Sequence, residues 1–203
     1  IRYFAIIGCP LMVANICSSL VLSLDRQFVN ILFDKKTYAL YAFAYNMLAL
    51  VTTATSAIST VLYPTLKREN IDSLKKSYSI LVGVVLLIVY GCIIIYYPLC
   101  IFVNWYLPQY SNSLIIFQII FPGLAISSVI TIVMHNYYKT LGINLLFFFK
   151  GIFALILSAV ANAIAYYCFK TTQAISIASI ITLIIWYCVV EYYFINNMNV
   201  KYK

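Results

Sequence analysis

Apolar runs of 20 residues and more recur along this chain, separated only by short polar gaps, and no other feature limits its fold so severely. Crossing a hydrocarbon core of about 30 Å takes roughly 20 mostly apolar residues in a helix. A segment that crosses must satisfy its own backbone hydrogen bonds, which leaves helices as the economical solution for runs of this length. Hydrophobic residues make up 65% of the 203 positions and charged residues 9%, far from the balance of a soluble domain. The expected fold is therefore an all-α integral membrane protein.

Six spanning helices are expected, over residues 10–33, 38–63, 78–103, 113–138, 145–169 and 174–195. Pro10 suits a first helical turn, the turn Asp34 to Thr37 separates the first two helices, and Pro64 is expected to stop the second. Pro122 and Gly123 sit inside the fourth run and predict a bend there. The aromatic stretch Asn104 to Tyr110 has the character of a membrane interface.

The net charge of +8 would suggest nucleic acid in a soluble protein. Here the basic residues gather in the gaps between apolar runs, so the lipid bilayer is the expected partner and nucleic acid is not. Of the 13 lysines and arginines, nine fall on one side of the six-span arrangement and four on the other. By the positive-inside rule both termini are expected in the cytoplasm. The cysteines Cys9, Cys17, Cys92, Cys100, Cys168 and Cys188 lie inside the apolar runs without CxxC spacing, which argues against a disulfide framework or a zinc site and for small core residues. Neither a metal nor a cofactor is implied. No phosphate-binding loop, nucleophile elbow or pair of carboxylates appears, so nothing points to an enzyme.

Polar residues inside the runs form stripes. The first helix carries Asn15, Ser19, Ser23, Arg26 and Asn30 at steps of four, four, three and four, which is one face of a 3.6-residue helix. An arginine within a span costs about 2.5 to 3.5 kcal/mol on insertion scales and so needs a partner or a wet surrounding. Arg26 either lines a water-filled cavity and meets an anionic substrate, or reaches the interface or a carboxylate for stability. Asp25 points about 100° away around the helix. It is a structural carboxylate or an ion-coupling one. The second helix presents Thr52, Ser56, Ser59 and Thr60, either as close-packing hydroxyls or as a cavity wall. The fourth lines up Ser127, Thr131, His135 and Lys139. His135 is the only histidine and the residue type whose charge changes near neutral pH, which makes it a candidate for proton coupling. The fifth holds Lys150, Ala154, Ser158 and Asn162 on one face, with Lys150 close enough to the helix end to reach the interface.

Several segments taken together carry a resemblance: Gly8-Cys9-Pro10-Leu11 leading to Leu24-Asp25-Arg26, Tyr41-Ala42 opening a polar second helix that closes on Tyr63-Pro64-Thr65-Leu66, Tyr97-Pro98-Leu99 followed by Tyr110-Ser111-Asn112-Ser113, and a late helix with Asn162. Over nearly its whole length the chain resembles the polysaccharide or O-antigen (Wzx-type) flippases of the MOP superfamily. It departs from their pattern in the turn before the second helix, where Thr37 to Leu40 stand without the common glycine. The resemblance implies one six-helix lobe of a two-lobe transporter, with this chain as the C-terminal lobe and a fragment lacking the N-terminal one. It implies the cytoplasmic membrane of a bacterium and translocation of an undecaprenyl-diphosphate-linked oligosaccharide in cell-surface polysaccharide and lipopolysaccharide synthesis. The implied partners are that lipid-linked oligosaccharide, the missing lobe and glycan polymerase machinery. Arg26, Lys150, Asn15, Ser19, Ser23, Asn30, Ser56 and Asn162 are the expected substrate-binding residues, and Asp25 and His135 the ion-coupling candidates. The alternatives are a multidrug or cation antiporter of the related efflux branch, a non-transporting scaffold of a glycan-assembly complex, and a small channel.

Overall fold

A computed structural model describes residues 12–13, 16–69 and 71–201. Among them the chain is helical, with no strand. After a helical stretch over 16–21 and a turn at 22–23 come α1 (Leu24–Leu32), α2 (Lys35–Leu66), α3 (Ile71–Gly91), a 3-10 turn (Cys92–Ile95) and α4 (Tyr96–Tyr106). There follow α5 (Ser113–Ser128), a π-helical turn (Val129–Met134), α6 (His135–Thr140), α7 (Asn144–Phe169) and α8 (Thr172–Lys201). Five stretches among the described residues are long and apolar enough to cross a membrane: Lys35–Leu66, Lys76–Tyr106, Ser113–Thr140, Leu145–Phe169 and Thr172–Asn196. The expected first span, 10–33, begins outside the described residues.

In lipid, helices gain little from hiding apolar surface, so packing and polar contacts decide how they associate. The stretch Ser113–Thr140 is the central one: 61% of its most apolar window is buried, against 7% for α2. It packs on α2, α3 and α8, while α7 and α8 run against each other. Leu50, Leu87, Ile101, Ile156 and Ile164 remain exposed, as a lipid-facing surface requires. Near the far end of α8 an aromatic core of Tyr137, Tyr138, Phe147, Trp186 and Phe194 closes the bundle. The Tyr137 hydroxyl donates to the Leu74 carbonyl at 3.1 Å and the Tyr138 hydroxyl to the Val190 carbonyl at 2.9 Å. Those two bonds tie α6 to α3 and α8, whereas the hydroxyl of Tyr78, whose ring packs on Tyr137 and Phe194, is buried without a hydrogen-bond partner among the described residues.

Several helix limits differ from expectation, each for a local reason. α2 starts at Lys35 because Asp34 is its N-cap, accepting from the Thr37 N–H at 3.2 Å and from its hydroxyl at 2.6 Å. Pro64 does not stop α2 at once: it removes one N–H and crowds the carbonyl four residues back, yet the helix runs on two further residues to Leu66. Pro122 likewise lies within an unbroken α5. The irregularity comes later, in the π turn, where the Thr131 hydroxyl donates to the Ser127 carbonyl at 2.8 Å and the His135 N–H reaches back to Ile130. Gly123 allows a close approach of α8: a Cβ there would lie 3.1 Å from Cγ1 of Ile180. The third span starts at Ile71 and is interrupted by the 3-10 turn, and α8 runs through Lys201, past the expected end at 195. Cys17 is buried, but Cys168 and Cys188 are exposed, so those two are not core residues.

Candidate functional site

The first polar stripe does not continue as one helix face. Ser19 and Ser23 donate to the carbonyls three residues back, Ile16 at 3.1 Å and Leu20 at 3.3 Å. The Ser23 N–H also bonds to Leu20, at 3.0 Å, which tightens the chain into a turn before α1 begins. Hydroxyls that compete for backbone in this way bend helices. Beyond the turn, within α1, Asp25 is buried, Arg26 is half-buried and Asn30 is exposed.

Asp25 and Arg26 line a cavity of about 320 Å³ between α1, α2, α5, α7 and α8, together with Ser19, Tyr45, Thr52, Ser127, Ser158 and Ser179. A second cavity of about 370 Å³ shares Leu22, Thr52 and Ser127 with it and continues along Thr53, Ser59, Ser128 and Thr131. Thr131 belongs to the π turn. Hydroxyls therefore line two adjacent cavities in the bundle. Most come from α2 and from α5 with its π turn, two of the stripes visible in the sequence, and Ser19, Ser158 and Ser179 add to them from other segments.

The two charged residues are held differently. Asp25 is 2% exposed. Its Oδ1 accepts from the Arg26 backbone N–H at 2.8 Å and its Oδ2 from the Tyr41 hydroxyl at 2.9 Å. The Arg26 guanidinium lies over the Tyr45 ring, 4.8 Å from its centroid, and its Nε is buried without a hydrogen-bond partner among the described residues. A guanidinium with donors to spare, beside hydroxyls and over an aromatic face, suits an anion such as a phosphate group.

The other expected site residues are placed as follows. Asn162 is fully buried behind the first cavity, donating to the Ser158 hydroxyl at 3.3 Å and accepting from that of Ser179 at 3.2 Å. It thus joins α7 to α8 through two residues that do line the cavity. Lys150 lines neither cavity; its ammonium sits 3.4 Å from the centroid of the Tyr193 ring, a cation–π contact near the end of the bundle. Ser23 and Asn30 line neither cavity. His135 is stacked on Phe147 with ring centroids 5.0 Å apart, and its Nε2 is buried without a hydrogen-bond partner among the described residues. Asn15 lies outside the described residues, as does the side chain of Ser56. Tyr41, named in the sequence only as part of the resemblance, and Tyr45, Ser176 and Ser179 were not expected as site residues. The signals were there in the i, i+4 spacing of the two tyrosines and the i, i+3 spacing of the two serines.

Five helices among the described residues that are long and apolar enough to cross a membrane, packed around a mostly apolar core, define a multi-pass helical membrane protein. No family model matches the chain, and neither a curated protein nor a solved structure matches it.

Proposed function

We propose that this chain forms part of a transporter that moves a lipid-linked oligosaccharide, carried on undecaprenyl diphosphate, across the bacterial cytoplasmic membrane as one six-helix lobe of a MOP-type flippase. The observation that carries the reading is Arg26, an intramembrane cation without an ion-pair partner among the described residues, opening onto a hydroxyl-lined cavity. A diphosphate needs compensating charge once it leaves water, and a glycan needs hydroxyl partners. The two adjacent cavities, lined from Arg26 to Thr131, supply both kinds of group. The family resemblance of the Leu24-Asp25-Arg26 and Tyr63-Pro64-Thr65-Leu66 segments supports the same substrate class.

The test is binding of an isoprenyl diphosphate to the full chain in lipid nanodiscs, with Arg26→Ala beside Lys76→Ala as a surface-charge control. A charge-assisted hydrogen bond contributes about 1.5 to 3 kcal/mol, so Arg26→Ala is expected to weaken binding roughly ten- to hundredfold. Unchanged binding in Arg26→Ala overturns the reading, and a scaffold role would then be favoured. A second reading rests on Asp25, a carboxylate almost wholly buried yet lining the same cavity. That is the group a cation antiporter uses. Uptake of an organic cation driven by a proton or sodium gradient and lost in Asp25→Asn supports the antiporter instead.

A further inference from the structure

Asp25 and Arg26 are neighbours in sequence and line one cavity, yet no ion pair forms between them. Adjacent positions on a helix point about 100° apart, which separates the side chains at their roots. A long arginine in a medium of low dielectric is nevertheless drawn to a carboxylate within its reach. Something must hold the carboxylate away.

The contacts of Tyr41 account for it. Its hydroxyl has one proton, and that proton is donated to Oδ2 of Asp25 at 2.9 Å. The Tyr41 phenol oxygen also accepts from the Ser176 hydroxyl on α8 at 3.4 Å, a proton that Ser176 shares with the Thr172 carbonyl at 3.1 Å, and this contact helps to orient the phenol. With Oδ1 already engaged by a backbone N–H, both carboxylate oxygens are anchored. The Tyr41 ring, fully buried, also packs 5.2 Å from the ring of Tyr45, and Tyr45 is the platform beneath the guanidinium. One side chain thus restrains the anion through its hydroxyl and supports the cation's platform through its ring.

We propose that Tyr41, oriented by Ser176, is a positioning residue that keeps the Asp25 carboxylate off the Arg26 guanidinium, leaving that cation available to an anionic ligand. The inference rests on the reading of Arg26 as an anion-binding group. Tyr41→Phe keeps the ring and the platform and removes only the restraint, so the carboxylate turns onto Arg26 and competes with the ligand. Tyr41→Phe/Asp25→Asn removes the competitor as well.

The experiment is calorimetric titration of farnesyl diphosphate into the full chain in lipid nanodiscs, with a thermal unfolding midpoint recorded for each variant. Tyr41→Phe is expected to weaken binding about tenfold, and adding Asp25→Asn to it is expected to bring binding back to within about threefold of that of Asp25→Asn alone. Recovery in the double variant separates charge competition from structural damage, which a second substitution does not repair. If Tyr41→Phe does not fold, Ser176→Ala takes its place, with a smaller loss that Asp25→Asn likewise rescues. Binding unchanged in Tyr41→Phe, or a loss that Asp25→Asn leaves in place, overturns the proposal. Retained binding in Arg26→Ala overturns the anion-binding reading itself, whereas loss there with Tyr41→Phe unaffected overturns only the role of Tyr41.

Discussion

Asn136 offers a test in which shape and hydrogen-bond polarity predict opposite results. It is buried on α6, just past the π turn, and its Nδ2 faces three oxygens: the Ser59 hydroxyl at 2.8 Å, the Ser59 carbonyl at 3.3 Å and the Ile132 carbonyl at 2.6 Å. Asn136→Ala breaks the link between α6 and α2. Interhelical hydrogen bonds in membranes average about 0.6 kcal/mol and reach about 1.7, and the released Ser59 hydroxyl can turn to a carbonyl of its own helix. A loss of roughly 1 to 2 kcal/mol is expected. Asn136→Asp conserves volume but sets an acceptor against those three oxygens, of which only the Ser59 hydroxyl can turn to donate. Lys139, three residues on, has its ammonium 5.9 Å from the centroid of the Tyr63 ring. A buried carboxylate without a paired cation costs about 3 to 5 kcal/mol. The aspartate should therefore be the less stable variant by about 2 kcal/mol or more. Denaturation of each variant in mixed detergent micelles at neutral pH, followed by intrinsic fluorescence, measures the difference. If aspartate proves as stable as alanine, the amide is not serving as a donor between these helices, and the reasoning fails.

Two further perturbations probe other contacts. Gly123→Val places carbon where a Cβ already stands 3.1 Å from Cγ1 of Ile180 and 3.5 Å from Cδ1 of Leu183, so overpacking should destabilise the bundle by about 1 to 3 kcal/mol; a valine variant that unfolds with the parent would mean that α5 and α8 are not in such close contact. At the N-cap of α2, the two bonds from Thr37 hold the Asp34 carboxyl below its ordinary value, so its ionised form is favoured in the folded state. That contribution is complete above the ordinary carboxylate pKa of about 3.9 and is lost as pH falls through the lower folded value. The stability gap between parent and Asp34→Ala should therefore be constant near neutral pH and close below about pH 4; a gap that does not vary over a pH series rules out this capping role.

Run length and composition were enough to establish a helical, multi-pass membrane chain, because the bilayer dictates how many apolar residues a crossing needs and forbids unpaired backbone along the way. The expected limits at 145–169 fall within one residue of α7, Asn144–Phe169. They do so because the αL residue Lys170, with φ of 53°, ends that helix where the apolar run ends. Limits were less legible where capping and backbone geometry act: at Asp34, at Pro64 and across the π turn.

The polar stripes were also visible, including Arg26, Asp25, Thr52, Ser127 and Thr131, all of which line the two cavities. Their grouping was not, and the reason is physical. In water a helix turns its apolar stripe inward and so announces its buried face. In lipid that signal is weak, and the rotation of each helix is settled by its neighbours. A turn at 22–23 interrupted the first stripe between Ser19 and Arg26, Asn30 ended exposed near the end of α1, and the packing of α7 on α8 carried Lys150 to Tyr193 instead of to the cavity. Residue types along a helix told which groups can carry charge or hydrogen bonds. Their meeting around one hollow, and the Tyr41 hydroxyl that holds Asp25 beside it, came from helix rotations that arise only when the whole bundle is assembled.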